Sequence, residues 1–289
     1  MAMETKEALS EAYDQSARAY DQMAGGIYLR ALWALLPYAN VAPLPAILDV
    51  GCGTGINLLE MARVLGPCRK LVGVDLSPGM LDVARRKAAS AGLAATFVVG
   101  DAEALELPDS SFDLVVCNSA YHWFPDRARA IKEMSRVLRP GGQLMLTTLA
   151  APGYEEWIGV VNGVWARLFG RACAAFPEMP TPAEVCSQMR ASGLSMEHFK
   201  YQIAPGLVGD PQGFLSTMAV VAPVWLQQAP DGDSDRVMQA TLGAITQGSP
   251  QGFVCTQAGI EAVARKGAAI PLPTARPNMP QPPRSQSGP

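Results

Sequence analysis

Residues 46–55 read Ala-Ile-Leu-Asp-Val-Gly-Cys-Gly-Thr-Gly, and a helical pattern of apolar residues runs on from there to residue 65. A short apolar run of this kind is a buried strand, and this one ends in glycines at every second position. Glycines let the backbone turn tightly and let a ligand approach without meeting a Cβ. The helix behind them offers unpaired N–H groups to whatever sits at the loop. The spacing is GxGxG, unlike the GxGxxG of dinucleotide loops, and no GK[ST] follows, which excludes a phosphate-cradling loop. With Asp49 just upstream, the close-packed loop suits a ligand with an amino-acid part better than a pyrophosphate. Asp75 closes the next apolar strand, where a carboxylate can accept both ribose hydroxyls of an adenosine. The competing reading is an acid at a helix N-terminus. Gly100-Asp101-Ala102 ends a third strand, where the side chain can hold an adenine amino group or serve as a turn acid.

Outward from the loop, strands and helices alternate. Residues 46–50, 70–75, 94–99, 112–118 and 143–149 read as strands, with helices up to 65 and over 77–91 and 126–138. Ser77 and Pro78 fit the N-cap and first helical positions, as do Thr181 and Pro182 further on; Asp126 reads as a helix cap, and Arg139-Pro140-Gly141-Gly142 stops the helix it opens. This alternation predicts an α/β fold with a doubly wound parallel sheet and helices on both faces. Upstream, 7–23 forms an amphipathic helix, a second helix covers 27–36 up to Pro37, and 41–45 is a linker. Beyond residue 150 the alternation weakens. Helices are expected over 154–169, 181–192, 211–228 and 233–245, with a break at Pro223, and strands over 196–203 and 259–266. The tail from 271, rich in Pro, Gln, Ser and Arg, is expected to be disordered. The chain thus divides into an N-terminal helical cover (1–45), a binding core (46–150), the rest of the core with an inserted helical cap (151–270), and the tail (271–289).

Composition narrows the function classes. The formal net charge is -3 over 289 residues, and no block of Lys and Arg marks a nucleic-acid or anionic-membrane surface. Six cysteines lack any CxxC pair and only two histidines are present, so no zinc site is expected and a reducing cytoplasm suits the chain. No apolar run approaches the roughly 20 residues of a membrane span, and the first residues do not read as a signal peptide.

Four ordered motifs, ILDVGCGTG, GVDLSPGML, GDAEALELPDSSFDLVVCNSAYHWFPD and KEMSRVLRPGGQLMLTT, resemble the S-adenosylmethionine-dependent methyltransferases of the ubiquinone/menaquinone-biosynthesis type. The resemblance is tight over 46–148 and weaker over YDQSARAYDQM at 13–23. It implies a Rossmann-like methyltransferase fold of seven mostly parallel strands, with the final strand (259–266) inserted antiparallel between the fifth and sixth. It implies S-adenosylmethionine as cofactor. Asp49, Gly51, Gly53 and Gly55 would cradle the methionine part, and Asp75 the ribose. Leu76 and Met80 would lie beside the adenine, and Asp101 and Ala102 at its edge. Asn118 would mark the place that receives the methionine ammonium, and Tyr20 would help close the site.

The expected reaction is methyl transfer to a small, largely apolar acceptor, preferably a hydroxyl or carboxyl oxygen of a secondary metabolite, quinone or lipid. An activated methyl needs positioning more than acid–base help. His122 is the candidate catalytic base should the acceptor carry a proton, with a structural role as the competing reading; a carboxylate acceptor would need none. A carrier-bound acyl acceptor would call for a basic docking patch, which the sequence does not display. His198 reads as a surface residue. Tyr13, Tyr28 and Tyr121 are cavity candidates. Trp157, Trp165, Phe169, Met179, Met218 and Trp225 either line an apolar pocket under the cap or pack its core. The alternative function is a protein that binds the cofactor without transferring methyl. A nicotinamide-dependent dehydrogenase is a distant third, because the loop spacing is wrong for it. The acceptor's identity and the oligomeric state are not encoded legibly.

Overall fold

The computed structural model describes residues 6–230, 232–248 and 252–267. The expected disorder of 271–289 lies outside them. Among the described residues, seven strands form one sheet in the order β3-β2-β1-β4-β5-β7-β6. They are β1 (Ala46–Val50), β2 (Lys70–Asp75), β3 (Thr96–Val99), β4 (Phe112–Asn118), β5 (Leu138–Leu149), β6 (Leu194–Val208) and β7 (Phe253–Lys266). Strands β1 to β5 pair in parallel, and β7 runs antiparallel to both β5 and β6. Every residue of β1 is buried, as expected of a central strand covered on both faces.

Among the described residues, nine α-helices accompany the sheet: α1 (Lys6–Leu35), α2 (Ile56–Leu65), α3 (Pro78–Ser90), α4 (Arg127–Val137), α5 (Glu155–Phe169), α6 (Pro182–Ala191), α7 (Pro211–Val221), α8 (Val224–Gln227) and α9 (Ser234–Gly248). On one face Ile131 and Met134 of α4 and Val185 and Met189 of α6 pack against the sheet. On the other, Leu58 and Met61 of α2, Leu81 of α3 and Leu32 and Leu35 of α1 do so. A third apolar core holds α5, α7, α8 and α9 together with Leu9 and Ala12 from the start of α1; this is the cap. The caps read from sequence are present: Ser77, Asp126 and Thr181 accept from the N–H groups of Met80, Arg129 and Glu184. No helix among the described residues is long and apolar enough to cross a membrane.

Three expectations need correction. The two N-terminal helices are one, continuous through Gly25 and Gly26. A Cβ at Gly25 would lie 3.0 Å from Ile56 Cδ1, so close packing against α2 overrides the glycine pair's poor helix propensity. Arg139-Pro140-Gly141-Gly142 belongs to β5 rather than preceding it, because Leu138 already pairs with Phe112 and the register then shifts. The last two strands are longer than read: β6 and β7 continue as a ribbon to Val208 and Phe253, past Pro205 and Gly206, which broke the alternation.

His198 is also not a plain surface residue. It sits on the edge strand, half-buried, with its ring stacked 3.9 Å from that of Tyr38. Nearby, Arg265 is buried and binds Glu197 at 2.5 and 3.1 Å and the Gly141 carbonyl at 2.6 Å, while Gln143 donates to Glu197 and Tyr38. This network ties β5, β7 and β6 together at the end of the sheet away from the glycine loop. Losing one partner of such a group costs about 3 kcal/mol at the lower end for buried pairs, since Glu197 is partly solvated. Arg265→Met is therefore expected to lower the stability by about that amount in urea unfolding.

Candidate functional site

The sheet order reverses between β1 and β4, and in such sheets a crevice opens there beyond the carboxyl ends of the strands. The loop after β1 is shaped by its glycines, with φ of 69° at Gly51, 52° at Gly53 and 72° at Gly55. Backbone N–H groups of Gly51 and Cys52 donate to the Val74 carbonyl at 2.8 and 3.0 Å. Asp75 accepts from Gly53 N at 2.7 Å and from Ser77 N at 3.0 Å, so one carboxylate joins the loop to the start of α3. The glycines differ in what they permit. A Cβ at Gly51 would lie 2.4 Å from that of Ala120, whereas one at Gly53 would meet nothing within 4 Å and would project into open space. At Gly55 it would collide with Ala84 at 2.9 Å, so that glycine serves helix packing.

A cavity opens over this loop. Of the residues singled out from sequence, Tyr20, Gly51, Gly53, Asp75, Leu76, Met80, Asp101, Ala102 and Asn118 line it together. Asp49, Gly55 and His122 do not. Asp49 lies beneath the loop, fully buried, and neither carboxylate oxygen makes a well-formed hydrogen bond. Burial, helped by the nearby Asp75 charge, pushes its pKa up to about 8. An orphaned buried carboxylate under a glycine cradle fits a ligand carrying a cationic amino group. Asn118 is bound within the protein: it donates to the Tyr28 carbonyl and accepts from Thr147 Oγ1 at 2.5 Å. Ser119, next along, has φ of 58° and turns the chain away from β4 at the cavity wall.

The remaining wall is aromatic. Tyr28 stacks on Tyr20 with centroids 5.4 Å apart, Tyr20 meets Tyr13 edge-on at 6.0 Å, and Tyr13 meets Trp123 edge-on at 6.1 Å. All four line the cavity. Burial pushes the phenol of Tyr28 up to about 12 and those of Tyr13 and Tyr20 well above the usual range, so these hydroxyls stay neutral. Tyr121 is elsewhere, fully buried in the core with its hydroxyl on Gln188. Trp157, Trp165 and Trp225 are completely buried in the cap, and neither they nor Phe169, Met179 and Met218 reach the cavity. The three tryptophans, Phe169 and Met218 pack the core of the cap instead.

His122 is buried with Nδ1 3.2 Å from Thr148 Oγ1. The Thr148 hydroxyl donates to the Leu149 carbonyl, so Nδ1 is the donor in that contact. Desolvation, with the Arg127 charge, lowers the imidazole's pKa to about 3. Sequence reading missed Lys6, Ser10, Glu103, Ser119 and Trp123 in the lining. Lys6 and Ser10 had no signal to find, since a lone polar residue on an amphipathic helix is ordinarily solvated.

Asp49 sets a testable pH dependence. Its folded pKa lies above the unfolded value of 3.8, so the folded state keeps the proton longer and stability falls as pH rises from about 4 to about 8. Asp49→Asn, which carries no charge, is expected to be more stable than the parent at pH 8, on the order of a few kcal/mol, and nearly equal to it at pH 4. Urea midpoints at the two pH values check this.

Residues 48–146 match the family described as "Methyltransferase domain". The chain is 33% identical to the malonyl-[acyl-carrier protein] O-methyltransferase of Serratia marcescens over 186 residues, which cover 64% of this chain and 68% of the relative. It is 33% identical to the demethylmenaquinone methyltransferase of Thermus thermophilus, covering 57% and 81%. Among solved structures, the [4+2]-cyclase SpnF superposes with a TM-score of 0.62 at 19% identity, covering 93% of this chain and 99% of that one. Geranyl diphosphate C-methyltransferase from Streptomyces coelicolor gives 0.52 at 16% identity, covering 82% and 78%. These two are likenesses of fold. The convergence of the first three motifs on one cavity and the sequence relatives agree: the chain belongs to the S-adenosylmethionine-dependent methyltransferases.

Proposed function

We propose that the chain methylates a hydroxyl or carboxyl oxygen of a small, flat, largely apolar acceptor in cytoplasmic secondary metabolism. The observation that carries this reading is one cavity with two unlike walls: the glycine loop and Asp75 on one side, and the ladder of Tyr28, Tyr20, Tyr13 and Trp123 on the other. Aromatic walls suit planar apolar ligands, and neutral tyrosine hydroxyls can still orient an oxygen. The relatives named for demethylmenaquinone and for malonyl-[acyl-carrier protein] support an acceptor of the quinone or acyl class.

When bound, the cofactor supplies a methyl group already activated on a sulfonium. The chain's share is binding, orientation and exclusion of water. Asp75, its oxygens aligned by Gly53 and Ser77, would hold the ribose; Asp101 would hold the adenine edge; Asp49, buried beneath the glycine loop and outside the lining, would support the methionine part from below. Held geometry of this kind can supply roughly 7–11 kcal/mol of a barrier. No group in the lining is disposed to act as a base. Asp75 and Asp101 are engaged by backbone N–H groups and assigned to the cofactor, Glu103 accepts from Lys6 and from Asp126 N, Lys6 is ion-paired, the tyrosines and Cys52 are pushed up by burial, and His122 lies outside the lining. The site therefore suits an acceptor that is ionised without help, such as a carboxylate.

Calorimetric titration with S-adenosylhomocysteine tests the cradle. Asp75→Ala is expected to weaken binding about 10- to 100-fold, as loss of charge-assisted hydrogen bonds does. Unchanged affinity would refute the assignment of Asp75. Methyl transfer from labelled cofactor to a panel of apolar acids, phenols and alcohols then tests the acceptor class, with turnover of the acids expected to be insensitive to pH above 6. A positioned general base contributes about 10²–10⁴-fold, so His122→Gln is expected to lower kcat less than about tenfold and to leave the pH profile unmoved.

A further inference from the structure

The helix α1 belongs to two cores at once. Its first half contributes Leu9 and Ala12 to the core of the cap, and its second half contributes Leu32, Trp33 and Leu35 to the core against the sheet. Gly25 and Gly26 lie at the boundary between the halves. Two consecutive glycines are the least stiff residues a helix interior can carry, short of a proline. The first half crosses the mouth of the cavity, with Lys6, Ser10, Tyr13 and Tyr20 in its lining.

That half is fastened to the cap through Tyr13, which donates to the Val221 carbonyl, and through Ala12 and Gln15, which accept from Gln227, and at each turn or two it is tied to the cofactor cradle and to α3. Lys6 Nζ lies 2.6 Å from both Asp101 and Glu103. Ser10 donates to the Leu76 carbonyl at 2.9 Å. Asp14 accepts from the Ser77 hydroxyl at 2.5 Å and from Gly79 N at 2.7 Å, beside a glycine whose Cβ would otherwise strike it. Asp21 accepts from Thr54 Oγ1 and Lys87 Nζ, each at 2.5 Å. The ion pairs are partly solvated, so each is individually weak and readily exchanged for water. A segment held by many weak polar contacts, jointed at a glycine pair and anchored beyond the joint, is built to open as a unit.

We propose that the first half of α1, carried with the cap, is a gate hinged at Gly25–Gly26 that must open for the cofactor to enter and its demethylated product to leave. The proposal rests on the cofactor reading of the cavity. It assigns Asp21 and Lys6 as latches and makes exchange of S-adenosylhomocysteine slower than diffusion allows. Asp21 itself does not line the cavity, so removing its charge loosens the latch without touching a ligand. A Cβ at Gly26 would meet nothing within 4 Å, so Gly26→Ala stiffens the helix without a clash, unlike the same change at Gly25.

Stopped-flow tryptophan fluorescence with S-adenosylhomocysteine on the full chain tests the gate, since Trp123 lines the cavity. The association rate of the parent is expected to level off at high ligand, reporting the opening step. Gly26→Ala should slow association and dissociation together by roughly fivefold while leaving the thermal midpoint equal or higher. Asp21→Asn should speed both by a similar roughly fivefold factor, with Kd changing much less than either rate. Rates unaltered by folded Gly26→Ala, or a dissociation rate that changes alone and in step with Kd, would overturn the gate. Should Asp21→Asn fail to fold, Gly26→Ala decides alone. A parent protein that binds no S-adenosylhomocysteine at all would overturn the cofactor reading itself, and the gate with it.

Discussion

The Asp75 carboxylate accepts one N–H from the glycine loop and one from the start of α3, and the site is organised around that pair of bonds. The residue ends β2, which lies next to β1 in the sheet, so the two loops it joins leave the sheet side by side. Burial pushes its carboxyl upward, and the Ser77 and Gly53 N–H groups oppose this. With these loops fixed, Gly51 can pack close against Ala120, Gly53 can lie against open space, and the turn of α1 around Asp14 can pack within reach of Ser77 and Gly79.

Much of this was legible in the chain, and for a physical reason. Short connections in a parallel sheet place consecutive βα turns at the same edge, so AILDVGCGTG, GVDLSP and GDA converge once the alternation is read. The capping residues Ser77, Asp126 and Thr181 were equally local and came out as read. What was not legible depends on partners distant in sequence. Gly25-Gly26 looked like a helix boundary because nothing local reveals that Ile56 packs there. The tryptophans of α5 and α8 gave the same apolar signal whether they faced a ligand or one another, and Trp157 and Trp225 proved to meet edge-on at 5.1 Å. Lys6 reaches Asp101 across 95 residues of chain, a pairing without local signature.

The placement of His122 bears on how the reaction is divided between protein and ligands. Its neighbour Trp123 faces the cavity, while the imidazole turns inward to Thr148 and stays neutral. A short helical turn at Tyr121–Trp123 is what separates these directions, since successive residues on a tight helix point about a third of a turn apart. The same turn sends Tyr121 into the core. A sequence stretch of four aromatic residues, Tyr121-His122-Trp123-Phe124, thus serves core packing and the cavity wall at once.

The ribbon of β6 and β7 has a consequence for how such a chain can diversify. Val208 and Phe253 are direct partners across it, and the helices α7, α8 and α9 are all strung between those two residues. A segment whose ends already sit next to each other is a cassette. It can be lengthened, shortened or replaced while the ribbon keeps its register, because loop closure is set by the strands and not by what they carry. Helices α7 to α9 are therefore free to vary over evolutionary time, or to be transplanted between relatives, while the turns that shape the cavity stay as they are.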